Sequence, residues 1–116
     1  MRVIVCGGRE YDNGPMVLRT LADMHITALA HGGATGADEL ANIVAMTAGI
    51  PVTVYPAQWG EFRQAAGPIR NQRMLDEFKP DAVIAFPGGK GTADMVRRAK
   101  AAGVRVIEVE EARDDG

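Results

Sequence analysis

Gly32-Gly33-Ala34-Thr35-Gly36-Ala37-Asp38 follows the apolar run Thr27–Ala30 and opens a stripe of Ala37, Leu40, Ala41, Val44, Ala45 and Ala48. The stripe recurs at i, i+3, i+4 and i+7, the spacing of one helix face. The segment therefore reads as strand, glycine turn, helix. The same order returns at Gly88-Gly89-Lys90-Gly91-Thr92-Ala93-Asp94, which follows the apolar run Asp81–Phe86 and precedes Met95, Val96, Ala99 and Ala102. A helix N-terminus exposes unpaired N–H groups and a partial positive charge, and glycine lets a ligand approach the backbone closely. Each turn also carries a hydroxyl (Thr35, Thr92) and an acid (Asp38, Asp94). The matched pair predicts a site for a phosphorylated small molecule.

Working outward, the remaining chain alternates in the same way. Val3–Cys6 is a short strand ending in Gly7-Gly8-Arg9, and Val17, Leu18, Leu21 and Ala22 repeat at helical spacing after Gly14-Pro15. Gly49 closes the second helix and Val52–Tyr55 makes a third strand. Gly67-Pro68 opens a helix through Phe78, with proline at a permitted first-turn position. Pro80 stops it, and Gly103 separates the last helix from a strand over Val104–Val109. Five strands with four intervening helices predict one doubly wound α/β domain over residues 1–109, built on a parallel sheet. Ligands in such folds bind at the carboxyl ends of the strands, where the strand order reverses. The acidic tail, 110–116, is expected to be frayed.

Composition narrows the function. With 47% hydrophobic and 24% charged residues the chain matches an ordinary globule, and a net charge of −2 argues against a surface that coats nucleic acid. A lone Cys6 allows no internal disulfide and fits a reducing compartment. Only four apolar residues follow Met1-Arg2, too few for a leader or a membrane span, so the expectation is a cytoplasmic protein without membrane contact. Neither turn matches a standard nucleotide fingerprint. Lys90 is followed by Gly91 rather than by the Ser or Thr of a P-loop, and Gly7-Gly8-Arg9-Glu10 stands where a dinucleotide motif would begin. No metal or resident cofactor is expected.

Arg70 and Arg73 fall in or near the first turn of their predicted helix, with Asp76 and Glu77 near its other end. Both placements oppose the helix dipole, and a bound anion in front of the helix would turn the arginine penalty into binding. Trp59 and Phe62 lie in a polar loop, Pro56–Ala66, in a chain with six aromatic residues in all. They are read as a cover for a base or sugar, or as a cap on the core. His31 is expected to pack at its strand end. Ile43 and Met46 fall off the main stripe of their helix, which suggests a second apolar face and a homodimer.

Phe86-Pro87-Gly88-Gly89-Lys90-Gly91-Thr92 resembles the P-G-G-x-G-T motif of the lysine-decarboxylase-like and LOG phosphoribohydrolase proteins. Arg70-Asn71-Gln72-Arg73-Met74 resembles their upstream arginine motif, with Arg70 and Met74 at matching positions. Together with Pro56-Ala57-Gln58-Trp59 and Ala66-Gly67-Pro68-Ile69, the whole chain is most similar to the small stand-alone YspA-type members of the SLOG superfamily. The resemblance implies a Rossmann-like fold that binds nucleotides or nucleotide-derived ligands. Some members cleave the N-glycosidic bond of a nucleoside monophosphate, some sense nucleotide signals, and DNA-processing relatives bind single strands.

On this reading, Gly7, Gly8 and Arg9 join Gly32, Gly33, Thr35, Gly36 and Asp38 on one side of the ligand. Pro87, Gly88, Gly89, Lys90, Gly91 and Thr92 stand on the other side, Arg70, Asn71 and Arg73 supply polar and charged contacts, and Trp59 covers the base. In the hydrolytic relatives the motif continues to a catalytic glutamate, and here that position is Met95. Asp94 lies one residue early, about 100° around a helix. The primary expectation is therefore a nucleotide-binding or sensing domain. The alternative is a nucleotide N-glycosidase working through Arg70 with Asp94 or Asp38, Glu39 and Glu61 being further acids. A second alternative is a single-strand DNA groove of Arg9, Arg63, Arg70, Arg73 and Lys90, against which net acidity and few aromatics count.

Overall fold

The computed structural model describes residues 1–111. β1 (Arg2–Cys6), β2 (Ala28–His31), β3 (Val52–Val54), β4 (Ala82–Ala85) and β5 (Arg105–Glu108) form one parallel sheet in the order β3-β2-β1-β4-β5. The connecting helices are α1 (Gly14–Ala22), α2 (Ala37–Thr47), α3 (Trp59–Phe62), α4 (Ala66–Phe78) and α5 (Lys90–Ala101). The expected doubly wound, Rossmann-like α/β fold is what the chain adopts.

Side-chain alternation along the strands divides the core between the two faces of the sheet. Val3, Val5, Leu29 and Ile84 pack with Val17 and Leu21 of α1 and Ala37, Ala41 and Ala45 of α2. Ile4, Ala30 and Val83 face the other way, onto Met74, Leu75 and Phe78 of α4 and Met95 and Ala99 of α5. Both faces are covered, which is why the inner strands read as unbroken apolar runs.

The polar loop expected over Pro56–Ala66 is partly helical. Trp59–Phe62 forms α3, Arg63 takes a left-handed backbone (φ 53°), and Arg63–Ala65 makes a 3₁₀ turn that runs directly into α4. This moves the start of α4 back to Ala66, so Arg70 lies in its second turn and Arg73 in its third. The macrodipole acts on the first turn and has little hold on either. The reversed charges instead close on each other: Arg73 pairs with Glu77 at 2.5 Å and Gln72 bonds Asp76 at 3.0 Å, each one turn apart.

Of the expected frayed tail, residues from 112 on lie outside the described residues. Before them, Glu111 accepts hydrogen bonds from the Tyr11 hydroxyl (2.5 Å) and Asn13 Nδ2 (2.7 Å). No helix among the described residues is long and apolar enough to cross a membrane.

Candidate functional site

The chain winds outward from β1 through β2 to β3, then returns to place β4 and β5 on the other side of β1. The order reverses between β1 and β4, and register sets Cys6 beside Ala85. Beyond that pair the backbones part, and the crevice they leave is a cleft of about 680 Å³, the size of a small-molecule site.

The cleft gathers much of what the sequence nominated. Gly7, Gly8, Arg9, Gly32, Asp38, Trp59, Arg70 and Asn71 line it with the whole stretch Pro87–Thr92. Gly33, Thr35, Gly36 and Arg73 do not line it. Gly33 (φ 73°) and Gly36 (φ 76°) shape the turn behind it, and the Thr35 hydroxyl donates to the Arg9 carbonyl at 3.1 Å, tying two loops together. Arg73 belongs to the outer face of α4, paired with Glu77 and lying 5.9 Å from the Tyr55 ring centroid. Arg63 also stands outside the cleft.

The two glycine turns are chemically unlike. At the first, the carboxylate of Asp38 folds back over its own loop, and Oδ2 accepts from the Gly32 N–H (3.1 Å) and the Ala34 N–H (3.2 Å). The Ala37 N–H is taken by the Gly8 carbonyl at 3.1 Å. This turn already holds an anion, its own. Asp38 is 6% exposed, and burial raises its pKa, against the hydrogen bonds from Ala34 and Gly32 and the attraction of Arg70. His31 supports the same loop: Nδ1 accepts the Gly33 N–H at 2.9 Å, which leaves the ring proton on Nε2, 2.9 Å from Asn42 Oδ1.

At the second turn nothing comparable intervenes. Gly89 caps α5 without a side-chain hydrogen bond, and no acid occupies the first turn. Ala93 is the first residue to bond back, to Gly89 O at 3.0 Å. The N–H groups of Lys90, Gly91 and Thr92 thus precede the helical ladder and have no acceptor among the described residues. A Cβ built on Gly89 or Gly91 would meet nothing within 4 Å. Space and donors coincide here.

Arg70 reaches the floor of the cleft from α4. Nη1 donates to the carbonyls of Gly32 (2.9 Å) and Tyr55 (3.3 Å), and Nε donates to Asn71 Oδ1 (2.9 Å). Position 32 must be glycine for this, because a Cβ there would overlap the guanidinium. Burial draws the Arg70 pKa down and the Asp38 charge opposes that. Asn71 is itself held by Asp94, which accepts its Nδ2 at 3.0 Å along with Arg98 Nε at 2.9 Å and Arg97 Nη2 at 2.7 Å.

Asp94 is therefore a strut between α4 and α5 and does not line the cleft. Burial works to raise its pKa, but the bonds from Arg98 and Asn71 and the charges of Arg98 and Arg97 outweigh it and hold the carboxyl below the usual range. Met95, at the position of the relatives' glutamate, is wholly buried in the core between α4, α5 and the sheet. Cys6 also lines the cleft, and burial pushes its thiol up to about 12, which leaves it unreactive.

Val5, Glu10, Tyr11, Ala34, Gly67 and Met74 also line the cleft without having been nominated. Tyr11 packs 5.4 Å from Phe86, centroid to centroid, bracing the β1 loop against the end of β4. Its signal was position alone: it follows Gly7-Gly8-Arg9 at a strand end that borders the reversal. Opposite, Arg9 lies over the Trp59 indole, 5.3 Å from its centroid. Among the described residues no three His, Cys, Asp or Glu side chains gather closely enough to hold a metal ion.

The sequence profile of the YAcAr family (YspA, cpYpsA-related SLOG) matches residues 1–62. The chain belongs to this SLOG family. It is also 35% identical, over 91% of its own length and 94% of the other's, to the Gene 61 protein of Mycobacterium phage D29. Among solved structures it is similar to MurG of Acinetobacter baumannii (19% identity, TM-score 0.57, 92% of this chain and 34% of that one). A second is UDP-GlcNAc 2-epimerase of Neisseria meningitidis bound to UDP-GlcNAc (19% identity, TM-score 0.58, 99% of this chain and 33% of that one). The SLOG chain spans about a third of the length of these two proteins, and the likeness is one of fold.

Proposed function

We propose that this SLOG domain binds a nucleotide or nucleotide-derived small molecule in the cleft at the β1–β4 reversal, with its phosphate on the N-terminus of α5. The observation that carries this is the uncapped first turn of α5, whose free N–H groups share one cleft with Arg70. Backbone donors and a helix dipole suit a phosphate, and a guanidinium adds charge. Lys90 lies at the same end and Trp59 offers a flat surface for a base. The SLOG family, and an epimerase of similar fold that holds a nucleotide sugar, support the reading.

A panel of nucleoside 5′-phosphates and the matching nucleosides, read by thermal unfolding, tests it. Ligand at a hundredfold its dissociation constant stabilises a fold by about 2.7 kcal/mol. A clear shift with at least one phosphate and little with its nucleoside is expected. Equal shifts with both, or none with any, would remove the phosphate anchor.

The N-glycosidase reading rests on Asp38. Among the three nominated residues, Asp94 is tied up in ion pairs, which leaves Arg70 and Asp38 in the cleft, and the pKa of Asp38 is raised as a general acid requires. Mass-spectrometric detection of free base from nucleoside monophosphates would establish turnover, and its absence would leave a binding domain. The homodimer is proposed through α1 and α2, where Leu18, Ile43 and Met46 are exposed. Light scattering at micromolar concentration distinguishes one copy from two.

A further inference from the structure

The loop between β1 and α1 contains a turn, Gly8-Arg9-Glu10-Tyr11, closed by the Tyr11 N–H on the Gly8 carbonyl at 3.2 Å. Arg9 is at its tip, and its guanidinium lies 5.3 Å from the Trp59 ring centroid, within cation–π reach. Arg9 comes from the β1 side and Trp59 from α3, and both line the cleft, so this contact joins two of its walls. The position of the turn therefore sets how closely those walls approach.

The turn has two footings of different kinds. Gly8 is held by backbone bonds: its N–H donates to the Pro87 carbonyl at 2.9 Å, and its carbonyl also accepts from Ala37 at 3.1 Å. Tyr11 is held by its side chain. Its ring packs on Phe86, and its hydroxyl donates to Glu111 Oε1 at 2.5 Å. The same oxygen accepts from Asn13 Nδ2 at 2.7 Å, while Asn13 Oδ1 caps α1 by accepting the Met16 N–H at 3.1 Å. Burial and the Glu111 hydrogen bond both raise the Tyr11 pKa, so the phenol stays protonated and remains the donor. A further tie, from the Thr35 hydroxyl to the Arg9 carbonyl at 3.1 Å, holds the backbone of the tip.

Glu111 reaches Tyr11 from 100 residues away in the chain. The Val109 N–H bonds the Ala85 carbonyl at 2.8 Å, and the segment then passes over the end of β4 to the β1 side. Glu111 does not line the cleft. It lines a second groove of about 840 Å³ with Arg97 and Lys100, and Pro87, Gly88, Gly89 and Thr92 border both spaces. Any effect of Glu111 on the cleft must pass through the residues it holds.

We propose that Glu111 is a positioning residue for the cleft: its clasp on Tyr11 and Asn13 sets the turn that carries Arg9, and so the approach of Arg9 to Trp59. Both clasp bonds are at the surface, where water competes for them, so the tie is weak enough to open. The cleft is then regulated from the β5 side, without a change in any residue that lines it. The clasp owes nothing to the nucleotide reading above; only its effect on affinity rests on that reading.

The experiment reads Trp59, the only tryptophan in the chain, by emission and acrylamide quenching in the free protein. Arg9→Ala uncovers the indole and gives the reference change. Glu111→Ala and Tyr11→Phe should each move emission in that direction and raise quenching, and combining them should change it little further. Tyr11→Phe keeps the ring on Phe86, so it tests the clasp even where Glu111→Ala fails to fold. Glu111→Gln keeps the Oε1 acceptor and should retain the wild-type signal. With adenosine 5′-monophosphate as the probe, Glu111→Ala should bind about two- to tenfold more weakly than wild type. A wild-type Trp59 signal in both clasp variants overturns the proposal, even if their melting temperatures fall, since a merely structural contact gives that result. A wild-type signal in Arg9→Ala overturns it as well. Altered Trp59 signal with unchanged affinity overturns the role in binding. Absence of nucleotide binding by the wild type counts against the nucleotide reading alone, because the Trp59 comparison is made without ligand.

Discussion

The turns after β2 and β4 are near copies in sequence and opposites in chemistry. Aligned on their paired glycines, G-G-A-T-G-A-D stands against G-G-K-G-T-A-D, and the main difference is that Thr35-Gly36 is replaced by Gly91-Thr92. Gly36 takes φ 76° against the carbonyls of Gly8 and Arg9, a conformation a β-branched residue does not adopt, so α2 cannot start before Ala37. Thr92 is helical, and α5 starts at Lys90, three residues earlier in the alignment. The register of the helix start decides the two aspartates. Asp38 becomes the second residue of its helix and reaches back to the loop N–H groups, as acids near an N-terminus do. Asp94 becomes the fifth, beyond the first turn, where its neighbours one turn on are Arg97 and Arg98. One turn is closed by its own acid. The other leaves its donors without an acceptor among the described residues.

That contrast breaks most visibly at Gly36. Exchanging the pair, Thr35→Gly with Gly36→Thr, forces a threonine into the positive-φ position and into contact with the Gly8 and Arg9 carbonyls. A loss of about 3 kcal/mol is expected in urea unfolding. The reverse exchange, Gly91→Thr with Thr92→Gly, should cost far less, and comparable losses would show that the two turns are not distinguished by helix register.

Next in size is Asp94→Ala. It removes the acceptor shared by Asn71, Arg97 and Arg98 and should cost about 2 kcal/mol near neutral pH. It should also weaken nucleotide binding modestly, because Asn71 then holds Arg70 less firmly.

The two aspartates should also titrate with opposite sign. The Asp94 pKa is lowered by folding, so its stabilisation is present above the unfolded value and is lost as pH falls through the folded value. Asp38 is raised, so the native state holds its proton longer than the unfolded chain. Its contribution is fullest below the unfolded pKa and declines as pH rises through the folded one. Unfolding free energies of Asp94→Asn and Asp38→Asn against wild type across the acid range should therefore diverge in opposite directions. Parallel curves would contradict the assigned environments.

The smallest expected effect is at Gly91, helical and in open space. Gly91→Ala should stabilise the fold by about 0.5–1 kcal/mol. It should also weaken nucleotide binding, since the new methyl group stands by the α5 donors. Unchanged affinity would move the phosphate away from this turn.

Much of this molecule was legible in its residues because periodicity is a local property. Apolar runs bounded by glycine and proline gave the strands, the stripe from Ala37 to Ala48 gave α2, and alternation of the two gave a parallel sheet whose strand ends hold the glycine turns. The cleft residues that lie on those turns followed directly. What chain-local reasoning missed depends on where helices begin and what they touch. Arg73 and Arg70 are three residues apart on one helix and looked alike, but only Arg70 faces Gly32 and the cleft, while Arg73 closes on Glu77. The 3₁₀ turn that runs into α4 left no periodic signal, and with α4 starting at Ala66 neither arginine stands in the first turn. Asp38 and Asp94 share a place in the repeat, yet one carboxylate folds into a loop and the other bridges two helices. By itself the sequence determined the sheet, its windings and the edge where the glycine turns gather, since these rest on repeating patterns of burial. Only the tertiary structure decided which glycine turn stays open, because that depends on a helix register set by loops packed against each other across β1.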